Sequence, residues 1–570
     1  MTKDIVLKLR SGKWYYAGFA LSPESWTQNY NPLGNTALST AVAAFPVCLL
    51  FYLLAVRKTI AWRAAIYAFL AAVALAMVAF GMPARMVAAA VGHGLVYAVV
   101  RIAWTLVAAV FVYELTVETG HFTVIKESIS GITPDRRLQV LLIAFAFGAV
   151  LEGAGGGGAP VAICGAMMAG IGFHPFEAAV LCLIANTAPV AWGGVGNPIR
   201  TLVAVTGLPE ADLSAMVGRI LPWTALLLPF WLVRWQVKSR EMLEVWPGLI
   251  ACGATFGAVQ FLWSNYVDAA LVDIMGGMMT LAVLAVFFRR WRPKRIWRYS
   301  WDTEPNRAAQ PEHSFRKVLH SWAPFLLLAL FVIVWGLPPV KRVLDAVTLR
   351  RPVPWLHNLV IRTPPVVAEA HPEPAVFDFA WLSAVGTATF MAGLAAGPLL
   401  GLSLRQTLRV FLRTVRRMRY SLAAILAMLG LGFVTRYSGM DAVMGLAMAN
   451  TGKLFPLFGT LIGWLGVALT GTDAGSNALF GSLQVITANR LGLSPVLMAA
   501  ANSAGGVMGK MIDAQSIIVA CAATGQEGRE GDLFRAVLKH SILLALIVGG
   551  IVTLYAYVLT DWVPHGRRFW

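Results

Sequence analysis

Long apolar stretches without a single Asp, Glu, Lys or Arg recur along the chain, at 37–56, 64–84, 245–267, 318–340, 379–404, 454–472, 491–509 and 540–560. Crossing the hydrocarbon core takes about 20 apolar residues, so each stretch predicts a membrane-spanning helix. Shorter runs such as 274–288 and 420–435 raise the expected total to about 12 to 14 transmembrane or re-entrant segments. The fold class expected is an all-α polytopic membrane protein with two related halves.

Two breaks interrupt this pattern. The first is LEGAGGGGAP at 151–160, followed by NTAPVAWGGVGNP at 186–198. The second is GTDAGSNAL at 471–479, followed by NSAGGVMGKM at 502–511. Each joins a Gly-rich segment carrying a carboxylate, Glu152 or Asp473, to an Asn-Thr/Ser-Ala segment that begins at Asn186 or Asn502. Pro175 and Pro495 follow the two Gly-rich segments at similar intervals. Backbone that leaves its helix within a membrane must be buried in protein or line a wet cavity. Matched breaks in the two halves of a transporter point to its substrate site.

The organisation expected runs as follows. Residues 1–36 form an N-terminal surface segment, and 37–288 a first membrane half that includes the Gly-rich hairpin. Residues 289–317 form a basic cytoplasmic loop, 318–340 a single transmembrane helix, and 341–378 a Pro-rich external loop. Residues 379–570 form a second membrane half with the second interrupted segment. Pro352, Pro354, Pro364, Pro365, Pro372 and Pro374 rule out a continuous helix in the external loop.

Composition sharpens this picture. Only 13% of residues are charged, against about 25% in soluble domains. The net charge of +18 does not indicate nucleic-acid binding, because the basic excess sits in short loops between spans. Nine Lys/Arg fall in 289–317 and six in 405–419, whereas 81–91 holds one and 265–273 none. By the positive-inside rule the basic loops face the cytoplasm and both termini lie outside. The five cysteines stand singly in apolar runs, without metal-ligand or disulfide spacing. No metal or cofactor is expected beyond a coupling proton.

Enzyme motifs fail on context. Gly153-x-Gly155-x-x-Gly158 matches a dinucleotide fingerprint only formally, since no strand precedes it. Gly509-Lys510 lacks the rest of a phosphate loop. A transporter is therefore expected, not an enzyme.

Glu152 ends a run with no other charge, 138–151. An ionised side chain at mid-bilayer costs at least ~2.5–3.5 kcal/mol, so such a carboxyl suits proton exchange. Asp473 is the second candidate for the proton. Asp473 and Lys510 are also suited to pair with each other or to meet a substrate carboxylate. The remaining candidate binding residues are Gly155, Gly156, Gly157, Gly158, Asn186, Thr187, Trp192, Thr472, Ser476, Asn477, Asn502, Ser503 and Arg101. The polar members offer uncharged hydrogen bonds beside glycines, where backbone turns sharply and ligands approach closely. Broken helices also aim free N–H groups at anions. Packing of membrane helices by small polar residues is the competing role. Arg101, within the apolar stretch 86–113, is suited either to clamp a carboxylate or to snorkel to the interface. His93, His174 and His540 stand singly and read as structural.

On these residues the chain resembles the L-lactate permease family of bacterial proton-coupled monocarboxylate transporters. The resemblance runs from Gln28-Asn29-Tyr30-Asn31-Pro32 to the last span. It includes VFVYELTVETG (110–120), ITPDRRLQ (132–139), LEGAGGGGAPVAI (151–163), LCLIANTAPVA (181–191) and MVGRILP (216–222). NALFGSLQ (477–484), GKMIDAQSI (509–517) and DLFRAVLKHS (532–541) extend it. It implies symport of L-lactate, glycolate or D-lactate with a proton across the bacterial plasma (inner) membrane. The paired interrupted hairpins are similar to the ion-transporter superfamily, which implies a homodimer. The chain departs from the family pattern at Arg101, Gly157, Trp192, Asn197 and Asp513, and in the Ser/Thr content of 472–476. These departures leave two alternatives open: a sodium-coupled carboxylate transporter, or a proton symporter for a larger carboxylate.

Overall fold

The structure, a computed structural model, describes residues 24–302 and 313–564 except 58, 156, 157 and 368, together with three short strands before residue 24. Ten helices among the described residues are long and apolar enough to cross a membrane. The pair Pro175–Ala185 and Val190–Thr206 adds an eleventh span if its two limbs, bent by 62°, are counted together. Trp62–Val78, Pro160–Gly170 and Val385–Leu399 are shorter apolar helices. The chain is an all-α polytopic membrane protein.

Burial separates the spans by position. Arg136–Gly155, which carries Glu152, is buried along almost its whole apolar length, whereas Thr36–Leu54 is mostly exposed at the rim. Leu404–Ser438 is 35 residues long, or about 52 Å at 1.5 Å per residue, which exceeds an apolar core of about 30 Å. Its first turns, with Arg405, Arg409, Arg413, Arg416, Arg417 and Arg419, therefore extend past the core on the basic side. Arg413 and Arg417 reach Glu118 and Glu114 at 2.6 Å each.

The two halves repeat one order of elements. In the first, Arg136–Gly155 stops, Ala159–Gly170 follows, Pro175 opens Pro175–Ala185, and a 3-10 turn (Val190–Trp192) leads to Gly193–Thr206. In the second, Phe455–Thr470 stops, Asp473–Leu491 follows, Pro495 opens Pro495–Gly509, and a 3-10 turn (Lys510–Ile512) leads to Ala514–Thr524. The halves interlock reciprocally. Ala159–Gly170 packs on Ala514–Thr524, and Asp473–Leu491 packs on Gly193–Thr206.

Two polar anchors fix the ends of this core. On the basic side, Asp135 caps Arg136–Gly155 by accepting from the Arg137 amide at 3.0 Å. The fully buried Arg137 donates to Asp135 (2.8 Å), Glu244 (2.9 Å) and the Arg295 carbonyl (2.9 Å). Arg136 binds Asp302 through two nitrogens, at 2.8 and 3.1 Å. The sequence stretch ITPDRRLQ is thus a clamp that holds the segment 291–302 against the base of the Glu152 helix.

On the opposite side, the Pro-rich segment 341–378 is an ordered cap. Leu349–Pro352 pairs with Val376–Phe379, and Val360–Arg362 pairs with both His371–Pro372 and Trp26–Thr27. Glu373 is buried between Arg362 (2.9 Å) and Arg436 (2.7 Å). Arg436 also donates to the Ala204 and Val205 carbonyls, at the end of Gly193–Thr206. Gln28 donates to the Arg436 and Tyr437 carbonyls, which ties the N-terminal stretch to the same corner.

Burial alone would raise the Glu373 pKa, but Arg362 and Arg436 outweigh it and hold the carboxyl below its usual range. A depressed folded-state pKa gives stability that is present above the unfolded value and lost as pH falls through the folded one. Glu373→Gln is expected to lower stability by about 3 kcal/mol at neutral pH. The gap from wild type should close only below about pH 4.3, the ordinary Glu value. Melting curves of both proteins across acid pH read this directly; a gap independent of pH would contradict it.

Candidate functional site

The second break is a dense polar network, in which Asp473 Oδ1, Gln484 Oε1 and Ser516 Oγ are the atoms left without a hydrogen-bond partner among the described residues, beside Asp513 Oδ2, which faces Lys510. Gly471, in the left-handed region (φ 77°), ends Phe455–Thr470, and Thr472 caps Asp473–Leu491 by accepting from the Gly475 amide at 3.0 Å. The two helix ends meet charges of the favourable sign. Lys510 Nζ donates to the Gly471 carbonyl at 2.6 Å, and Asp473 lies in the first turn of its helix. Lys510 is also ion-paired with Asp513 at 3.1 Å, and both side chains are buried. Asp513 in turn caps Ala514–Thr524 by accepting from the Ser516 amide at 2.8 Å.

Asp473 Oδ2 accepts from Ser503 Oγ and from Asn477 Nδ2 (3.3 Å). Asn502 Nδ2 donates to Asn477 Oδ1 at 2.9 Å and to Ser476 Oγ at 3.4 Å. Asn502 Oδ1 accepts from Gln484 at 3.2 Å. Ser476 Oγ donates to the Gly463 carbonyl at 3.0 Å. Close packing makes this network possible. A Cβ on Gly463 would collide with the Asn502 carbonyl, and one on Gly505 with the Thr460 carbonyl. Asn477 reaches across to the other half, donating to the Pro198 carbonyl at 3.1 Å.

The first break is open. Glu152 Oε2, both amide atoms of Asn186, Asn197 Oδ1 and Thr201 Oγ1 are buried and have no hydrogen-bond partner among the described residues. Glu152 lies flush against the second limb: a Cβ on Gly193 would stand 2.7 Å from Glu152 Oε1. Gly194, Val195 and Gly196 then run consecutively through the left-handed region, at φ 55°, 60° and 79°. That conformation is costly for the β-branched Val195. It is pinned from below by Arg200, which donates to the Val195 carbonyl at 2.6 Å and pairs with Glu210 at 3.3 Å. The two breaks adjoin each other: the turn Val190–Trp192 packs on Pro495–Gly509, and the turn Lys510–Ile512 packs on Pro175–Ala185.

The structure brings together most of the residues expected from sequence. Glu152, Asn186, Asp473, Ser476, Asn477, Asn502, Ser503 and Lys510 line the two facing breaks, with Thr472 capping the second. Gly158 takes φ 84° and faces Ser516, so its glycine identity is conformational; Gly155 only borders Val110. Gly156 and Gly157 lie outside the described residues. Thr187 donates its hydroxyl to the Ile184 carbonyl at 2.8 Å, a bond within its own segment. Trp192 is fully buried and donates to Ser214 at 3.0 Å, which makes it a packing tie to Glu210–Gln236. Arg101 is half-buried in a π-helical turn, Ala98–Ala103, packed against Gly193–Thr206; it forms no ion pair among the described residues.

Three residues near the breaks were not singled out from the sequence. Gln260 donates to the Ala188 carbonyl at 3.2 Å and props the turn after Asn186. Gln484 holds Asn502. Asp273, at the edge of an apolar run, read as a loop residue but is fully buried. A polar side chain inside a charge-free helix was the available signal for Gln260. A separate groove lined by Phe122, Lys126, Ile163 and Met167 contains none of these groups.

The L-lactate permease family model matches residues 39–559, which span both breaks and the helices around them. This chain belongs to the L-lactate permease family. The glycolate permease GlcA of Escherichia coli is 43% identical over 553 residues, covering 94% of this chain and 99% of its own. The L-lactate permease of Escherichia coli is 42% identical over 95% of this chain and all of its own. That of Bacillus subtilis is 39% identical over the same shares. Among solved structures, the YdaH transporter of Alcanivorax borkumensis covers 83% of this chain and 89% of its own at 14% identity, with a TM-score of 0.43. That likeness is too distant to bear on substrate or mechanism. Membership of the L-lactate permease family marks the chain as a multi-pass membrane permease.

Proposed function

We propose that this protein is a proton-coupled symporter of L-lactate, glycolate or D-lactate in the bacterial plasma membrane. The observation that carries the reading is the difference between the two breaks. The second bonds its asparagines, Asn477 and Asn502, internally and leaves single atoms of Asp473, Gln484 and Ser516 without a partner, whereas the first leaves both amide atoms of Asn186 and single atoms of Glu152, Asn197 and Thr201 without one among the described residues. Leaving such atoms unmade costs about 1–3 kcal/mol each, so a polar ligand is the natural partner. A small 2-hydroxy acid offers a carboxylate for the Asn186 amide and for the charge of Lys510. Its hydroxyl suits Asn197 or Thr201. Relatives named for lactate and for glycolate support that substrate class.

Glu152 carries the proton in this reading. It sits at the C-terminal end of Gly148–Gly155, where the helix dipole disfavours an anion. One anion moving with one proton transfers no net charge. A pH gradient of one unit then supplies about 1.4 kcal/mol, and the membrane potential little directly.

The test is uptake of labelled L-lactate and glycolate into liposomes holding the purified protein, under an inward proton gradient without sodium. Uphill accumulation that a protonophore collapses is the expected result. Uphill uptake that follows an imposed sodium gradient at equal pH would overturn the proton coupling.

A further inference from the structure

We propose that the segment 289–301 is a docking surface for anionic phospholipid headgroups in the leaflet on the basic side of the protein. Such a surface does not depend on which ion drives transport.

The span Val272–Arg290 has 19 residues, about 28 Å at 1.5 Å per residue, which matches an apolar core of about 30 Å. Arg289 and Arg290 therefore stand where hydrocarbon gives way to headgroups. Arg289, Arg290, Arg292, Lys294 and Arg295 are all exposed, and none forms an ion pair or a side-chain hydrogen bond among the described residues. No Asp or Glu occurs from 274 to 301. The acids that approach the segment are committed: Asp135 and Glu244 pair with Arg137, and Asp302 pairs with Arg136. Arg298 is a further cation, half-buried, whose Nε has no hydrogen-bond partner among the described residues.

Aromatic rings sit among these cations, as suits a bilayer interface. Trp291 stacks on Phe287 with ring centres 5.3 Å apart, and Trp301 stacks on Tyr299 at 4.5 Å. Ile296 and Trp301 are exposed beside them and offer apolar contact to the lipid below its headgroup.

A loose basic loop loses freedom when it binds, and that ordering weakens binding. This segment is ordered already. Arg137 donates to the Arg295 carbonyl at 2.9 Å, the Trp297 amide donates to Asp135 at 3.0 Å, and the Arg136 amide donates to the Trp297 carbonyl at 3.2 Å. The Trp301 indole donates to the Gly172 carbonyl at 3.1 Å, in the turn between Ala159–Gly170 and Pro175–Ala185. The cations are thus presented on a fixed backbone that is bonded to the base of the Glu152 helix and to the turn of its hairpin. Roughly four to eight Lys/Arg directly outside a span attract anionic lipid, each strengthening binding about fivefold. A soluble phosphate offers the same charge but no chain to lie against Ile296 and Trp301.

The test uses the full-length protein purified in a neutral detergent. The probes are dioleoylphosphatidylglycerol, dioleoylphosphatidylcholine and inorganic phosphate. A ligand that binds the folded state raises the melting temperature. Phosphatidylglycerol is expected to raise it, most strongly at low salt, where surface charge is least screened. Phosphatidylcholine, with the same chains, is not. The combined variant Arg289→Gln, Arg290→Gln, Arg292→Gln, Lys294→Gln and Arg295→Gln should melt near wild type without lipid, because these side chains are exposed and unbonded. It should bind phosphatidylglycerol at least about tenfold more weakly. Arg405→Gln, Arg409→Gln and Arg416→Gln, exposed on Leu404–Ser438, form the control and should keep most of the shift. No shift in wild type overturns the proposal. So does a shift that survives the five substitutions, that falls as far in the control, or that inorganic phosphate reproduces.

A phosphatidylglycerol with a photoreactive diazirine beside its phosphate tests wild type directly and requires no variant to fold. Mass spectrometry should find the crosslink within 289–301. Crosslinks confined to other segments overturn the proposal.

Discussion

Glu152→Gln abolishes uphill accumulation of substrate. Under a gradient of one pH unit, electroneutral symport concentrates lactate about tenfold, and the variant brings that ratio to about one. The amide fits where the carboxyl stood, against Gly193, but it cannot gain or lose the proton. Counterflow of labelled against unlabelled lactate remains measurable, because exchange needs no net proton movement. The measurement is the steady-state ratio of internal to external lactate, with and without a protonophore. A variant that still accumulates lactate severalfold would remove Glu152 from the coupling mechanism and leave Asp473 as the carrier.

Lys510→Met is expected to have the largest effect on stability. Lys510 and Asp513 are both buried, and removing one partner of a buried pair costs about 3–5 kcal/mol. The Gly471 carbonyl loses its donor as well, and that carbonyl ends the helix before the second break. Substituting both partners, Lys510→Met with Asp513→Asn, removes the stranded charge and should recover most of the loss in melting temperature. Asn retains a side-chain oxygen able to cap Ala514–Thr524. Transport should stay lost in the double variant, because no cation then faces the substrate carboxylate. Wild-type uptake by a stable double variant would make Lys510 a structural counter-ion alone.

The architecture was legible because a bilayer imposes a simple rule on sequence. Charge-free runs at 318–340 and 540–560 mark the helices Phe315–Gly336 and Glu530–Tyr557. The breaks were legible for the same reason, since Gly-rich, carboxylate-bearing sequence has no other place in such a chain. The reciprocal packing of the hairpins supports the weak internal repeat read at Asn186 and Asn502. Equivalent positions nevertheless do different work. Asn502 is bonded to Ser476, Asn477 and Gln484, whereas Asn186 is unpartnered, and nothing in the two short motifs distinguishes them.

Side-chain roles set by distant neighbours were not legible. Trp192 reads as a pocket residue by its place beside Gly193, yet its indole is spent on Ser214, 22 positions away. Lys510 and Asp513 are three apart, but only the fold buries them together and aims the lysine at Gly471, 39 positions earlier. Asp273 read as a loop residue because it stands at the end of an apolar run.

By itself, then, the sequence determined the solvent of this protein, the number and order of its helices to within a few, and the two places where they break. Those properties follow from local runs of apolar and small residues, which any bilayer reads in the same way. Tertiary structure decided which of the polar groups at the breaks are already satisfied and which remain open to a ligand. It also decided that a carboxyl such as Asp273 is fully buried. Both depend on helices distant in sequence approaching at glycines such as Gly153, Gly193 and Gly463, where one added methyl group would hold them apart.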